Sequence, residues 1–195
     1  NPDKPNMKRR DFLLQTSGLL TLTAASSLRI ARALELNGNY PDAKSDQSGL
    51  SAQQWTTISA VQEHLLPHED DSPGARDVNA ESYLRWVLSA ADTHRDTIEL
   101  VSEGIAALES LSISQTTKRF TQLDETRAEH VLRQFEQTGL GKRWLRTILE
   151  FVLEALLADP VYGGNPKGIG WQWLGHQPGH KRPTADKRYM DLLKL

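Results

Sequence analysis

Between residues 51 and 158 apolar side chains recur at three- and four-residue spacing with charged residues between them, the pattern of helices that bury one stripe. Ser51-Ala52-Gln53-Gln54 has the form of a capping box. The helix it opens presents Trp55, Ile58, Val61 and Leu65 inward, and Pro67 ends it. Glu69-Asp70-Asp71-Ser72-Pro73-Gly74 reads as a turn. A second helix begins near Asn79 and buries Tyr83, Trp86, Val87 and Ala90. A third spans about 96–111, with Ile98, Val101, Ile105 and Leu108 on one face. Phe120 and Leu123 lead into Asp124, a good N-cap, and the fourth helix then uses Ala128, Val131, Leu132 and Phe135 until Gly139 and Gly141 break it. The fifth, 142–158, is apolar almost all round apart from Glu150 and Glu154, which share one face; such a helix belongs at the centre of a core. Residues 185–194 have the pattern of a short terminal helix. No alternating strand pattern stands out. The expected fold is all-α, a small bundle of about five helices.

The stretch 158–179 breaks this rhythm. It holds six glycines, three prolines, two of the five tryptophans and Tyr162. Proline removes a backbone donor and pushes Asp159 out of the α region, so the fifth helix stops here. Flexible Gly/Pro linkers are poor in aromatics, whereas this segment carries Tyr162, Trp171 and Trp173. It is expected to be an ordered loop capping the bundle and laying rings on a surface, either its own core or a partner's. It is not a phosphate loop. Gly163 and Gly168 have Walker spacing, but Ile169 and Gly170 follow where Lys and Ser/Thr are needed, and Trp173 stands where a dinucleotide fingerprint needs its third glycine.

The N-terminal residues 1–33 have the layout of an export signal: Lys8-Arg9-Arg10-Asp11-Phe12-Leu13, a modestly apolar middle, and Ala31-Arg32-Ala33 as a small-x-small cleavage site. Arg9 and Arg10 followed by Phe12 and Leu13 resemble a twin-arginine signal, the route that carries folded proteins to the periplasm. A basic amphipathic helix is the plainer alternative. Met7 reads as the start, with 1–6 an upstream extension; 34–50 is a polar linker and 180–195 a basic tail.

Charge and composition narrow the function. The chain has 195 residues and a net charge of −2; without 1–33 it keeps 17 basic and 23 acidic side chains, a balance of −6. That sign argues against nucleic acid as a partner. There is no cysteine, which excludes disulfides, thiol catalysis, thiolate zinc and covalent haem attachment within this chain. No apolar run reaches 18 residues. His64 and His68 are four apart beside Glu63, Glu69, Asp70 and Asp71, but Pro67 between them spoils the helical alignment a metal pair requires. His176 and His180 share the spacing within a Gly/Pro loop, where it means little. No histidine has Glu three positions before it, as helical di-iron sites do. Nothing assembles a nucleophile, its base and an orienting group. The expectation is a chain with no catalytic, cofactor or metal site of its own.

Three stretches together resemble one family, the gluconate 2-dehydrogenase subunit 3 family. They are Arg9-Arg10-Asp11-Phe12-Leu13; Leu65-Leu66-Pro67 through Pro73-Gly74-Ala75 to Tyr83-Leu84; and Asp159-Pro160-Val161-Tyr162-Gly163-Gly164-Asn165 followed by Gly170-Trp171 and Gly175. Gly104 to Leu108, Arg119-Phe120 and Leu123 fit between them, so the likeness covers most of 51–179. The resemblance implies a non-catalytic small subunit. Its partner would be a large FAD-bearing subunit of the glucose–methanol–choline type, which lacks a leader and depends on the small one for folding, flavin retention and export by the twin-arginine translocase. A multihaem cytochrome c is often the third subunit. On this reading FAD and haem belong to other chains, and Tyr162, Gly163, Gly164, Asn165, Trp171 and Trp173 are the expected partner interface. Two other readings stay open: an export chaperone that leaves its client, and a metal-dependent helical enzyme using His64 and His68.

Overall fold

A computed structural model describes residues 48–89 and 95–179. The export signal with Arg9, Arg10, Phe12 and Leu13, most of the 34–50 linker, Ala90 and the tail from His180 lie outside the described residues.

Six α-helices follow one another: α1 (Ala52–Leu65), α2 (Ala80–Ser89), α3 (Arg95–Thr116), α4 (Glu125–Glu136), α5 (Gly139–Leu157) and α6 (Ile169–Leu174). Single 3-10 turns lie at Phe120–Gln122, Pro160–Tyr162 and Pro166–Gly168. Among the described residues the only β-type pairing is an isolated bridge between Glu69 and Ser72. The all-α expectation holds, as does the sequence of five principal helices.

The caps explain the boundaries. Ser51 and Gln54 form the capping box of α1, the Gln54 backbone N–H donating to Ser51 Oγ and the Ser51 N–H to Gln54 Oε1. Asp124 caps α4, accepting from Arg127 N at 3.0 Å. The break after α4 falls earlier than the glycines suggest. Thr138 is the N-cap of α5, accepting from Gly141 N at 2.9 Å, so Gly139 and Gly141 start that helix instead of separating two. α3 also runs beyond the expected 111 to Thr116, its last turn closed by Thr116 Oγ1 donating to Ser112 O at 2.7 Å. In α2 the buried face includes Leu84 and Leu88, with Val87 only partly covered.

α5 packs against each of the other five helices. Trp144, Ile148, Val152, Ala155 and Leu156 are its buried apolar residues. Trp144 is fully enclosed; its indole N–H donates to Val101 O at 3.0 Å and its ring meets Phe135 edge-on at 5.8 Å. Gly104 on α3 explains how α5 comes so close. A Cβ there would lie 2.0 Å from the Trp144 ring, so a glycine inside a helix, which costs about 0.5–1 kcal/mol against Ala, makes room for the largest core side chain. One end of this bundle, where α5 stops, carries the aromatic loop.

Candidate partner-binding site

The last carbonyls of a helix have no partner within it. At the end of α5 the following loop supplies two. Asn165 Nδ2 donates to Ala158 O at 3.0 Å, and the Trp171 indole N–H donates to Leu157 O at 2.9 Å. The chain reaches this position by folding back at once. Tyr162 N bonds Asp159 O at 2.8 Å and Gly163 N bonds Pro160 O at 3.1 Å, closing a 3-10 turn. Gly164 then passes over α5 so closely that a Cβ would sit 2.4 Å from Ala155 O, and Gly170 returns equally close, 2.2 Å from Leu156 O. Only residues without side chains fit at both crossings.

Asn165 lies between those crossings and is fully buried. Its φ of 51° and ψ of 52° put it in the left-handed region, which asparagine tolerates better than other non-glycine residues. Its side-chain oxygen accepts from Gly170 N at 2.7 Å, and its backbone N–H donates to Val78 O at 3.3 Å. Lys167 (φ 57°) and Gly168 (φ 73°) continue in left-handed backbone into α6, and Gly175 (φ 66°) ends that helix with His176 N bonded to Trp171 O at 2.8 Å.

The two sequence stretches that stood out, 65–84 and 159–175, are therefore one structural unit. Besides the Val78–Asn165 bond, Asn79 Nδ2 donates to Gly163 O at 3.4 Å, and Tyr83 Oη donates to Glu154 Oε2 at 3.3 Å. Asn79 is itself left-handed, at φ 57°. Its role was not read from the sequence; an asparagine just ahead of a helix is the available signal. The 66–79 turn is braced further along. Ala75 N bonds Leu66 O at 2.8 Å, Arg76 N bonds Glu63 Oε1 at 3.0 Å, and the Asp77 carboxylate accepts from Gly74 N and meets His68 Nδ1, both at 2.7 Å. The hydrogen bond to Asp77 and its charge raise the His68 pKa above the ordinary 6.5. The same bond, with the Gly74 N–H, holds Asp77 below 3.8.

The structure sorts the expected interface residues into two groups. Gly164 and Asn165 are buried; Tyr162, Gly163, Trp171 and Trp173 are half-buried. Tyr162 and Trp173 pack against the bundle core, and Trp171 lies over the end of α5 with His176 edge-on at 6.0 Å. The rings were expected on a loop, but Trp171 and Trp173 stand on the short helix α6. Beside them Leu157 is 44% exposed, one of two large apolar side chains left so open among the described residues. The end of the bundle thus presents Leu157 beside three half-buried rings.

His64 packs edge-on against Phe120 at 5.9 Å and His68 is held by Asp77; both side chains border the same groove. Among the described residues no group of three His, Asp or Glu side chains stands close enough to hold a metal. Glu150 and Glu154 part company: Glu150 pairs with Arg146 at 3.1 Å, while Glu154 accepts from Tyr83. An open groove of about 980 Å³ runs between the end of α1, α4 and the first half of α5. Leu65, Leu132, Leu145 and Leu149 line it, with Glu129–Arg133 and Arg146 paired along its rim. No helix of the described residues is long and apolar enough to cross a membrane.

A family profile described as gluconate 2-dehydrogenase subunit 3 matches residues 52–179. No curated protein and no solved structure matches the chain.

Proposed function

Since this chain belongs to the gluconate 2-dehydrogenase subunit 3 family, and is thus an accessory subunit of a dehydrogenase complex, we propose that it is the non-catalytic small subunit of a periplasmic, FAD-dependent dehydrogenase acting on sugars, sugar acids or alcohols. In this reading it binds the large flavoprotein subunit, supports its folding and flavin retention, and carries it through the twin-arginine translocase by the signal at Arg9, Arg10, Phe12 and Leu13. FAD sits in the large subunit, and a multihaem cytochrome c accepts its electrons.

One observation carries the reading: the family match extends to the aromatic end of the bundle, where Leu157, Tyr162, Trp171 and Trp173 form a preorganised, partly open surface. Trp and Tyr on rigid backbone are the side chains that dominate interface energetics. The surface is built mainly of apolar side chains, with His176 edge-on to Trp171. It suits holding a chain better than transforming a substrate.

Replacing Tyr162, Trp171 and Trp173 together with Ala tests this. A variant that keeps its helical circular dichroism is expected to lose the flavin-bearing chain on copurification, with affinity down at least ~100-fold for several hot-spot rings. Undiminished copurification by the folded variant contradicts the reading.

A further inference from the structure

We propose that Asn165 is the positioning residue of the partner surface: its buried side chain fastens the aromatic segment to the end of α5 without itself touching the partner. This rests on the reading of that surface as the flavoprotein contact, and it assigns Asn165 a different role from the rings.

Three observations converge. Asn165 has no exposed surface, so a partner cannot reach it. Its amide is used at both ends, the NH2 on Ala158 O at 3.0 Å and the oxygen on Gly170 N at 2.7 Å. These two bonds join the last turn of α5 to the first turn of α6, the helix that carries Trp171 and Trp173. Its backbone N–H meets Val78 O at 3.3 Å, so the 66–79 turn is tied to the same point. Side chain and backbone of Asn165 together therefore reach all three segments.

The physical consequence is preorganisation. α6 has six residues, too few to be stable alone in water. Without the amide, the Trp171–Leu157 bond and the packing of Trp173 are left to hold α6, the rings are less firmly placed, and binding has to supply the ordering they lack. The largest side chains of the bundle sit away from the Asn165 amide. Its core lies along α1–α5, around Trp55, Tyr83, Ile105 and Trp144.

Asn165→Gly isolates the side chain, because glycine accepts the left-handed backbone that alanine resists. The full-length protein, wild type and variant, is compared in two assays. The first is site-resolved amide exchange: the Gly170 N–H and the 158–175 segment are expected to exchange at least ~10-fold faster in the variant, with α1, α3 and α5 protected as before. The second is binding of the flavin-bearing dehydrogenase chain that copurifies with the tagged wild-type protein. Affinity is expected to fall at least ~10-fold, with most of the change arising from slower productive association or faster release of a loosened surface. Wild-type binding by Asn165→Gly, alongside loss of binding by the triple ring variant, overturns the positioning role and leaves the interface intact. Wild-type binding by the triple ring variant removes the interface and this inference with it. Collapse of the entire bundle in Asn165→Gly overturns the inference as well, since the amide would then hold the domain and not the aromatic segment.

Discussion

Single side chains set the local geometry, and the His68–Asp77 contact is the clearest titratable case. One contact produces both shifts, so it counts once. His68 bound to Asp77 is favoured in its charged form, and the stabilisation is complete below the ordinary histidine value of 6.5 and fades as pH rises through the raised folded value. Asp77 acts in the other direction: its contribution is present above 3.8 and fades as pH falls through its lowered value. The turn is therefore firmest between the two. Because the His68 side chain is 70% exposed, the effect on global stability is small. The melting temperatures of wild type and His68→Asn should differ most in mildly acidic buffer and converge as pH rises past the His68 value. A difference that grows with pH would contradict the assignment.

At the scale of helices, packing decides where sequence pattern is ambiguous. Most of the apolar stripes were legible: Trp55, Ile58 and Val61 on α1, Val101, Ile105 and Leu108 on α3, and Val131, Leu132 and Phe135 on α4 are all buried. The capping residues Ser51 and Asp124 marked their helix starts for the same reason, a side-chain oxygen next to orphan N–H groups. Glycines misled in one place. Gly139 and Gly141 look like breakers, but Thr138 caps the helix they begin. The aromatic cap on α5 was legible as composition and not as geometry: nothing in the spacing of Asp159 to Gly175 announces that Asn165 is buried or that Trp171 reaches back to Leu157. Gly104 gives a test at this scale. Gly104→Ala would improve helix propensity by up to about 1 kcal/mol, yet its Cβ would run into the Trp144 ring. Overpacking of this kind costs about 1–3 kcal/mol. Chemical denaturation should show net destabilisation; equal or higher stability would mean that α3 and α5 do not approach as described.

For the whole molecule, the arrangement is a helical body that is well packed inside. Its open groove is lined by leucines and by charged and imidazole side chains of α1, α4 and α5, while the capped end of α5 leaves Leu157 exposed beside the rings of α6. Membership in the gluconate 2-dehydrogenase subunit 3 family makes it one subunit among several. The proposal adds which surface does the holding and which companion it holds. The direct measurement is affinity purification of the tagged full-length protein from its own cells, followed by size-exclusion chromatography with flavin absorbance and dehydrogenase assays on the peak. The account predicts co-elution with a flavin-bearing chain in fixed stoichiometry, with sugar or alcohol oxidation belonging to the complex and absent from the isolated small chain. Elution alone, without flavin, or turnover by the isolated chain, would contradict it.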